Sequence, residues 1–519
     1  MTVVLPGEDA AEHPTLVPGA GSATTARPDV RMAARIVVAL SGTVALAGLV
    51  PALILAQVPD TGRSEAWLLT IALTCWSGIR LSLVVASGVQ RLFDLFFWVF
   101  CYTFMGLAPS VQIRSGLLST TTDDIDPGLD VPTALTVWVG VLCYEIGRLV
   151  AAAVNHRRPP YRVTGPPYRV TGPASREGSG VGGLRTLVLL VVALGASAYF
   201  LSKVGVAAAT GSREAAFAAR QVAWPDAAMR SIFYAGAVYP LLVAIGALAQ
   251  MWRNGREAFT RRVCLVVLLV SAVVLLAIVN PIASARYTFG TVVFALAVYA
   301  GAAATRQRAR VLMIGTIIGL LFVFPLADTF RRAGSSATRA GFLDEYMSNP
   351  DYDAFWQIAN AYAYWQEGFV VPLRQITGSL FFWLPRSIWS DKPTDTGIML
   401  AEYRGYSFDN LSAPLWAEFL VNGGPVAVVL GFVLVGAVLH RLDRMIVPAF
   451  GRGGLGAIVG AILPVYMTIL LRGSLLQATG TLAVTVVSIL VLQRTARTPD
   501  LAGALTAYDD QPRDRSPDR

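Results

Sequence analysis

Long apolar runs separated by short arginine-rich connections dominate the chain. Uncharged stretches recur at 36–59, 95–113, 231–252 and 263–285, and each matches the ~17 to 25 residues a helix needs to cross a bilayer. Read this way, the pattern predicts twelve helices near 33–57, 66–88, 92–112, 132–154, 186–206, 231–252, 263–283, 287–305, 311–329, 415–439, 454–471 and 474–493. The fold class is therefore all-α, a polytopic integral membrane protein with about twelve transmembrane helices. One large extracytoplasmic loop, 328–414, separates the ninth from the tenth. The flanking segments 1–31 and 494–519 are polar and are expected to be disordered in the cytoplasm. Within the spans, Arg80 interrupts the second helix, and Glu145 and Arg148 sit late in the fourth. Such groups are costly at mid-membrane, so these two helices are expected to be tilted or partly wet.

Composition agrees. Of 519 residues, 55% are hydrophobic and 14% charged, with mean hydropathy +0.56, against roughly 25% charged in a soluble domain. The net charge of +9 is carried almost wholly by arginine, since lysine occurs only at 203 and 392. The basic residues lie beside spans rather than along one soluble face, which excludes nucleic acid as the reason for them. Four connections, 155–185, 253–262, 306–310 and 440–452, hold sixteen arginines against three acids. The positive-inside rule assigns them, and with them both termini, to the cytoplasm. The first span then serves as an uncleaved signal anchor, because no cleavable leader precedes it. The duplicated PPYRVTG at 159–165 and 166–172 reads as slippage in a tolerant linker, with a Pro-rich recognition peptide as the other reading. Cys75, Cys101, Cys143 and Cys264 show no metal-ligand spacing, and no cofactor or metal is expected.

The insertion at 328–414 is where chemistry is expected. It carries seven basic residues, ten acids and seventeen aromatics. Aromatic rings in a wet cleft stack on sugar faces; an interfacial aromatic belt is the alternative. The belt is favoured for Phe381, Phe382 and Trp383, and neither reading is favoured for Tyr362, Tyr364 and Trp365.

The end of this insertion reads SLFFWLPRSIWSDKPTDTGIMLAEYRG, followed by SFDNLSAPLWAEFLVNGG leading into the next span. Pro385, Arg386, Trp389, Lys392 and Pro393, then Glu418 shortly before Gly423 and Gly424, resemble the bacterial oligosaccharide repeat unit polymerases, the Wzy or O-antigen polymerase type. The local match covers about forty residues, and the span layout covers nearly the whole chain. The resemblance implies a membrane glycosyltransferase of the cytoplasmic membrane. It would move a growing glycan from a polyprenyl diphosphate to an incoming lipid-linked oligosaccharide, with a chain-length regulator as a partner besides the bilayer.

A lipid diphosphate needs fixed cations, for which bidentate arginine is suited. On the outer side the candidates are Arg286, Arg331, Arg332, Arg386, Lys392, Arg404 and Arg472, with Trp389 and Trp365 for the sugar. Arg286 stands out because it separates two charge-free stretches; Arg386 and Lys392 gain from the family pattern. The plain alternative for each is a snorkelling cap or a loop ion pair. Glu418 is the first choice to accept the acceptor hydroxyl's proton, ahead of Asp328 and Asp391, and its alternative role is to complement a helix dipole. Glu418, Arg386 and Arg286 are thus the expected catalytic residues. The histidines, His13, His156 and His440, all fall on the cytoplasmic side, which departs from membrane sugar ligases thought to use an outer histidine. Three rivals stay open. An O-antigen-ligase-like transferase would differ mainly in acceptor, and a lipid-phosphate-dependent sugar transferase would want acids in the first outer loop. A flippase or transporter would use Arg80 and Glu145 as a polar path.

Overall fold

The computed structural model describes residues 28–122, 124–157, 181–255, 257–323 and 343–493. Among them the chain is helical and has no strands. The tails at 1–27 and 494–519, the PPYRVTG repeat, Asp328, Arg331 and Arg332 lie outside the described residues.

Among the described residues, ten helices are long and apolar enough to cross a membrane. The elements used below are, in chain order, α1 (Met32–Gln57), α2 (Ala66–Ser87), α3 (Leu92–Ser115), α4 (Pro127–Val154) and α5 (Gly183–Val204). The short amphipathic α6 (Arg213–Ala223) precedes α7 (Met229–Asn254) and α8 (Ala258–Ile278). Then come α9 (Arg286–Tyr299) and α10 (Arg306–Ile318). The loop layer contributes α11 (Ala354–Gln366), α12 (Arg374–Leu380) and α13 (Thr396–Arg404). Last are α14 (Leu415–Arg452), α15 (Leu455–Arg472) and α16 (Leu475–Leu492).

The expected eighth and ninth spans are not among the ten. Helix α9 has 14 residues, about 21 Å at 1.5 Å per residue, short of the ~30 Å hydrocarbon thickness. It stops in a turn at Ala300–Ala304, where Gly301 takes φ +99°. Helix α10 opens with Arg306, Arg308 and Arg310, continues as a π-helical turn over Gly319–Val323, and the rest of the predicted span lies outside the described residues. A second difference concerns 440–452, expected as a connection: it forms the last turns of α14.

Helix α3 is the axis of the bundle, buried from Leu92 to Ile113, whereas α1 is mostly exposed. It packs against α2, α14 and α15, while α4 lies along α14. A Cβ on Gly147 would stand 2.0 Å from the Val433 carbonyl oxygen, and one on Gly436 would stand 2.0 Å from that of Tyr144. Small residues let the two backbones meet, the usual device where lipid removes the hydrophobic drive for helix pairing.

Helix ends sort onto two faces. On one, the Thr61 N–H donates to the Arg114 carbonyl (2.9 Å), Arg63 pairs with Asp130 (3.0 Å), and the loop layer sits on top. On the other, Gln90 donates to the Ala303 carbonyl (3.0 Å), and the Asp443 carboxylate accepts the Phe93 and Asp94 N–H groups at the start of α3 (3.0 Å each). The charges read as wet or tilted positions are paired inside the bundle. Glu145 meets Arg80 at 2.7 Å and Arg148 at 2.6 Å, and Arg80 also lies over the Trp98 ring. The three charges are thus paired with one another, although Arg80 Nε and Nη2 and Glu145 Oε1 make no hydrogen bond of ordinary geometry.

The insertion is a packed layer. From Ala354 to Ala361 every residue of α11 is buried, and α11 rests on α14, α13 and α4. Trp356 donates to Gln112 at the end of α3 (2.7 Å), and Gln112 in turn donates to the Tyr346 carbonyl (3.0 Å). Tyr346, Tyr352, Phe355 and Trp356 are therefore core rather than sugar platforms, while Phe381 and Trp383 are exposed, at 44% and 64%.

Candidate functional site

The Gly pair of the resemblance breaks α14 where the loop layer docks. Gly424 adopts φ +62° and precedes Pro425, which cannot donate to the helix. The backbone there is tied by Asn422, whose Oδ1 accepts the Gln375 and Ile376 N–H groups (3.0 Å each) at the start of α12. Trp365 lies so close that a Cβ on Gly424 would be 2.5 Å from its Nε1. Trp365 is thus packed on the break of α14, beside Tyr362.

Arg386 and Lys392 build the preceding turn. Arg386 donates to the carbonyls of Lys392 (2.8 Å) and Pro393 (3.5 Å). Lys392 donates to those of Phe382 (2.6 Å) and Leu384 (2.9 Å), and burial, with Arg386 nearby, lowers its pKa. Trp389 lies in the same turn, its N–H bonded to the Pro385 carbonyl (3.1 Å). Arg404, the last residue of α13, donates to the Asp124 carbonyl and lies near the Tyr406 ring. Asp391 pairs with Arg374 at 2.7 Å in the open. The donors that the family pattern singles out are thus occupied by the loop's own carbonyls.

Glu418, in the first turn of α14, is fully buried. Its Oε1 accepts the Leu475 N–H at the start of α16 (2.9 Å), and the Thr396 and Ser474 hydroxyls stand beside it, although Oε2 makes no hydrogen bond of ordinary geometry. Asp395 neighbours it, caps α13 through Gly397 (2.8 Å), and has its pKa raised by burial. This carboxylate position suits bracing two helix N-termini.

Two candidates do converge. Arg286, the first residue of α9, and Arg472, the last of α15, both reach Asp351, at 3.5 Å each. Arg472 also meets Asp353 (3.4 Å) and donates twice to the Asp351 carbonyl (2.9 and 3.2 Å). Asp353 is buried and accepts the Ser412 N–H (3.0 Å); burial raises its pKa, against the opposing effect of Arg472. The Arg472 guanidinium lies over two aromatic rings, 5.7 Å from Tyr287 and 5.9 Å from Phe104, the latter on a π-helical turn of α3. Asp351 remains 35% exposed. Sequence reasoning passed over Asp351 and Asp353, whose only signal was their spacing in an otherwise apolar helix start, PDYDAF.

Below this cluster runs a cavity of about 1010 Å³ between α9 and α10, walled by Phe289, Val293, Phe294 and Leu312. That is the upper end of the ~300 to 1,000 Å³ typical of ligand pockets. Its lining is apolar along the helices, with Arg286 at the loop-layer end and Arg308 at the other. Gly290, Gly315 and Gly319 line it with open space where a Cβ would go. The groove is thus apolar along its walls, with a cation at each end.

No family model matches the chain, and no curated protein or solved structure matches it.

Proposed function

We propose that the chain is a membrane glycosyltransferase of the bacterial cytoplasmic membrane, with both termini cytoplasmic. It polymerises oligosaccharide units carried on a polyprenyl diphosphate at the outer face. The observation that carries this reading is the apolar groove ending at Arg286, which shares Asp351 with Arg472. The polyprenyl tail lies between α9 and α10, and the diphosphate reaches the two guanidiniums.

The cluster of two arginines and two aspartates is formally neutral, so a diphosphate of about two negative charges enters by displacing the half-exposed Asp351 from both arginines. The acceptor hydroxyl then attacks the anomeric carbon. A new carbon–oxygen glycosidic bond forms, the bond to the diphosphate oxygen breaks, and the leaving charge is met by donors already in place. Asp351, released beside the reacting centre, takes the hydroxyl proton. It suits this task better than Glu418, which is buried and bonded to Leu475.

The test is reconstitution of the purified chain with a polyprenyl-diphosphate oligosaccharide and separation of the products by length. Gly315→Phe fills the groove at a helical position with free space, leaving the helix intact. It should abolish polymer from long-chain carriers while sparing carriers with a short lipid. Wild-type polymer from the long carrier would remove the groove from the reaction.

A further inference from the structure

The face opposite the loop layer holds a separate hollow of about 130 Å³, formed where α7, α9 and α14 end and α15 begins. At ~30 Å³ per water it has room for about four waters, the scale of one phosphate group. Arg253 and Arg452 line it, and no acid does. Among the described residues neither arginine has an ion pair or a side-chain hydrogen bond.

The hollow is built rather than incidental. Gln250, buried, clamps the turn before α15 from both sides: its Oε1 accepts the Gly454 N–H (2.7 Å), and its Nε2 donates to the Gly454 carbonyl (2.9 Å). Gly453 and Gly454 hold φ +81° and +90° there. Helix α15 starts from Gly454 without a side-chain cap of its own; the Gly454 carbonyl takes the Ala457 N–H (3.2 Å), which leaves the Leu455 and Gly456 N–H groups at this end of an 18-residue helix. The third element is Tyr299, 8% exposed, which lines the hollow and whose buried hydroxyl has no hydrogen-bond partner among the described residues. Its ring is wedged against Gly246, where a Cβ would stand 2.6 Å from the hydroxyl oxygen.

We propose that this hollow binds a phosphate group, supplied by the headgroup of an anionic lipid. Two arginines, a buried hydroxyl donor and an uncapped helix start surround a space free of acids, which is the chemistry of phosphate recognition. Its position among the ends of membrane helices favours a lipid over a soluble anion, as basic pockets between spans do on the positive-inside face. Arginines in last turns also complement helix dipoles, but that role needs neither the hydroxyl nor the clamped turn.

The test uses the full chain in neutral detergent, with its melting temperature followed as dioleoyl phosphatidylglycerol, dioleoyl phosphatidylcholine or inorganic phosphate is added at constant ionic strength. Phosphatidylglycerol should raise the melting temperature and phosphatidylcholine should not. The double variant Arg253→Gln, Arg452→Gln should weaken half-saturation about thirtyfold, and Tyr299→Phe, which keeps the ring, about fivefold. Arg262→Gln, an exposed arginine outside the hollow, should leave it unchanged. An arginine-dependent rise with inorganic phosphate alone would overturn the lipid assignment. A rise that survives in both the double variant and Tyr299→Phe would overturn the site itself.

Discussion

Arg472 carries two roles that a double substitution separates. It braces the loop layer to α15 through Asp353 and the Asp351 carbonyl, and it is proposed to hold the diphosphate. Arg472→Gln leaves Asp353, 3% exposed, with the Ser412 N–H as its remaining partner in the cluster, and strips the Asp351 carbonyl of two donors. Removing one member of a buried ion pair costs about 3 to 5 kcal/mol. Adding Asp353→Asn deletes the uncompensated charge while its amide oxygen still accepts from Ser412. The double variant should therefore recover most of the loss, with a coupling of about 2 to 3 kcal/mol. Unfolding in mixed micelles on titration with a denaturing detergent reads the stability, and reconstituted polymer synthesis reads the function. If Arg472 touches the leaving group, the double variant is stable and inactive. Polymer returning together with stability would reduce Arg472 to a brace, and a single-variant cost below about 1 kcal/mol would refute the electrostatic account of how the loop is held.

Three further outcomes follow from the same geometry. Gly424→Ala places a Cβ at φ +62° and 2.5 Å from Trp365, so the left-handed backbone and the clash together should cost about 2 to 5 kcal/mol; Gly423→Ala, at φ −178° with only Ala427 nearby, should cost far less in the same unfolding titration. Glu418→Gln keeps an oxygen for the Leu475 N–H and should melt near wild type with polymer retained, whereas Asp351→Asn should lose polymer; the reverse pattern in the polymer assay would return the proton-accepting role to Glu418. Burial raises the Asp395 pKa from 3.8, so the folded state binds its proton more tightly than the unfolded chain, and stability from this group is present below that value and is lost as pH rises through the folded pKa. The difference in melting temperature between wild type and Asp395→Asn should thus shift against wild type as pH rises from about 4, and a pH-independent difference would contradict the burial effect.

What the sequence made legible depended on whether a signal was local. Ten spans could be read because each carries a long, predominantly apolar run, and the ends of α15 and α16 fall within a residue or two of expectation. The end of α9 was not legible, because the residues after Tyr299 are as apolar as those before it and only the backbone turn at Gly301 distinguishes them. Pairing inside the bundle was also hidden: Arg80 looked like an interruption because its partner Glu145 is sixty-five residues away.

The arginines divide on the same principle. Arg386 and Lys392 were chosen by pattern, yet a turn rich in Pro and short of regular helix leaves carbonyls without amide partners, and nearby cations satisfy them. A basic residue inside such a turn is therefore explained by the turn. Arg286 was chosen by cost, as a charge between two apolar runs. That argument led to the end of the groove and to Asp351. For a membrane chain of this kind, a cation that local backbone demand does not require is the better guide to a ligand, and Arg253 and Arg452, which bond no carbonyl among the described residues, follow the same logic on the opposite face.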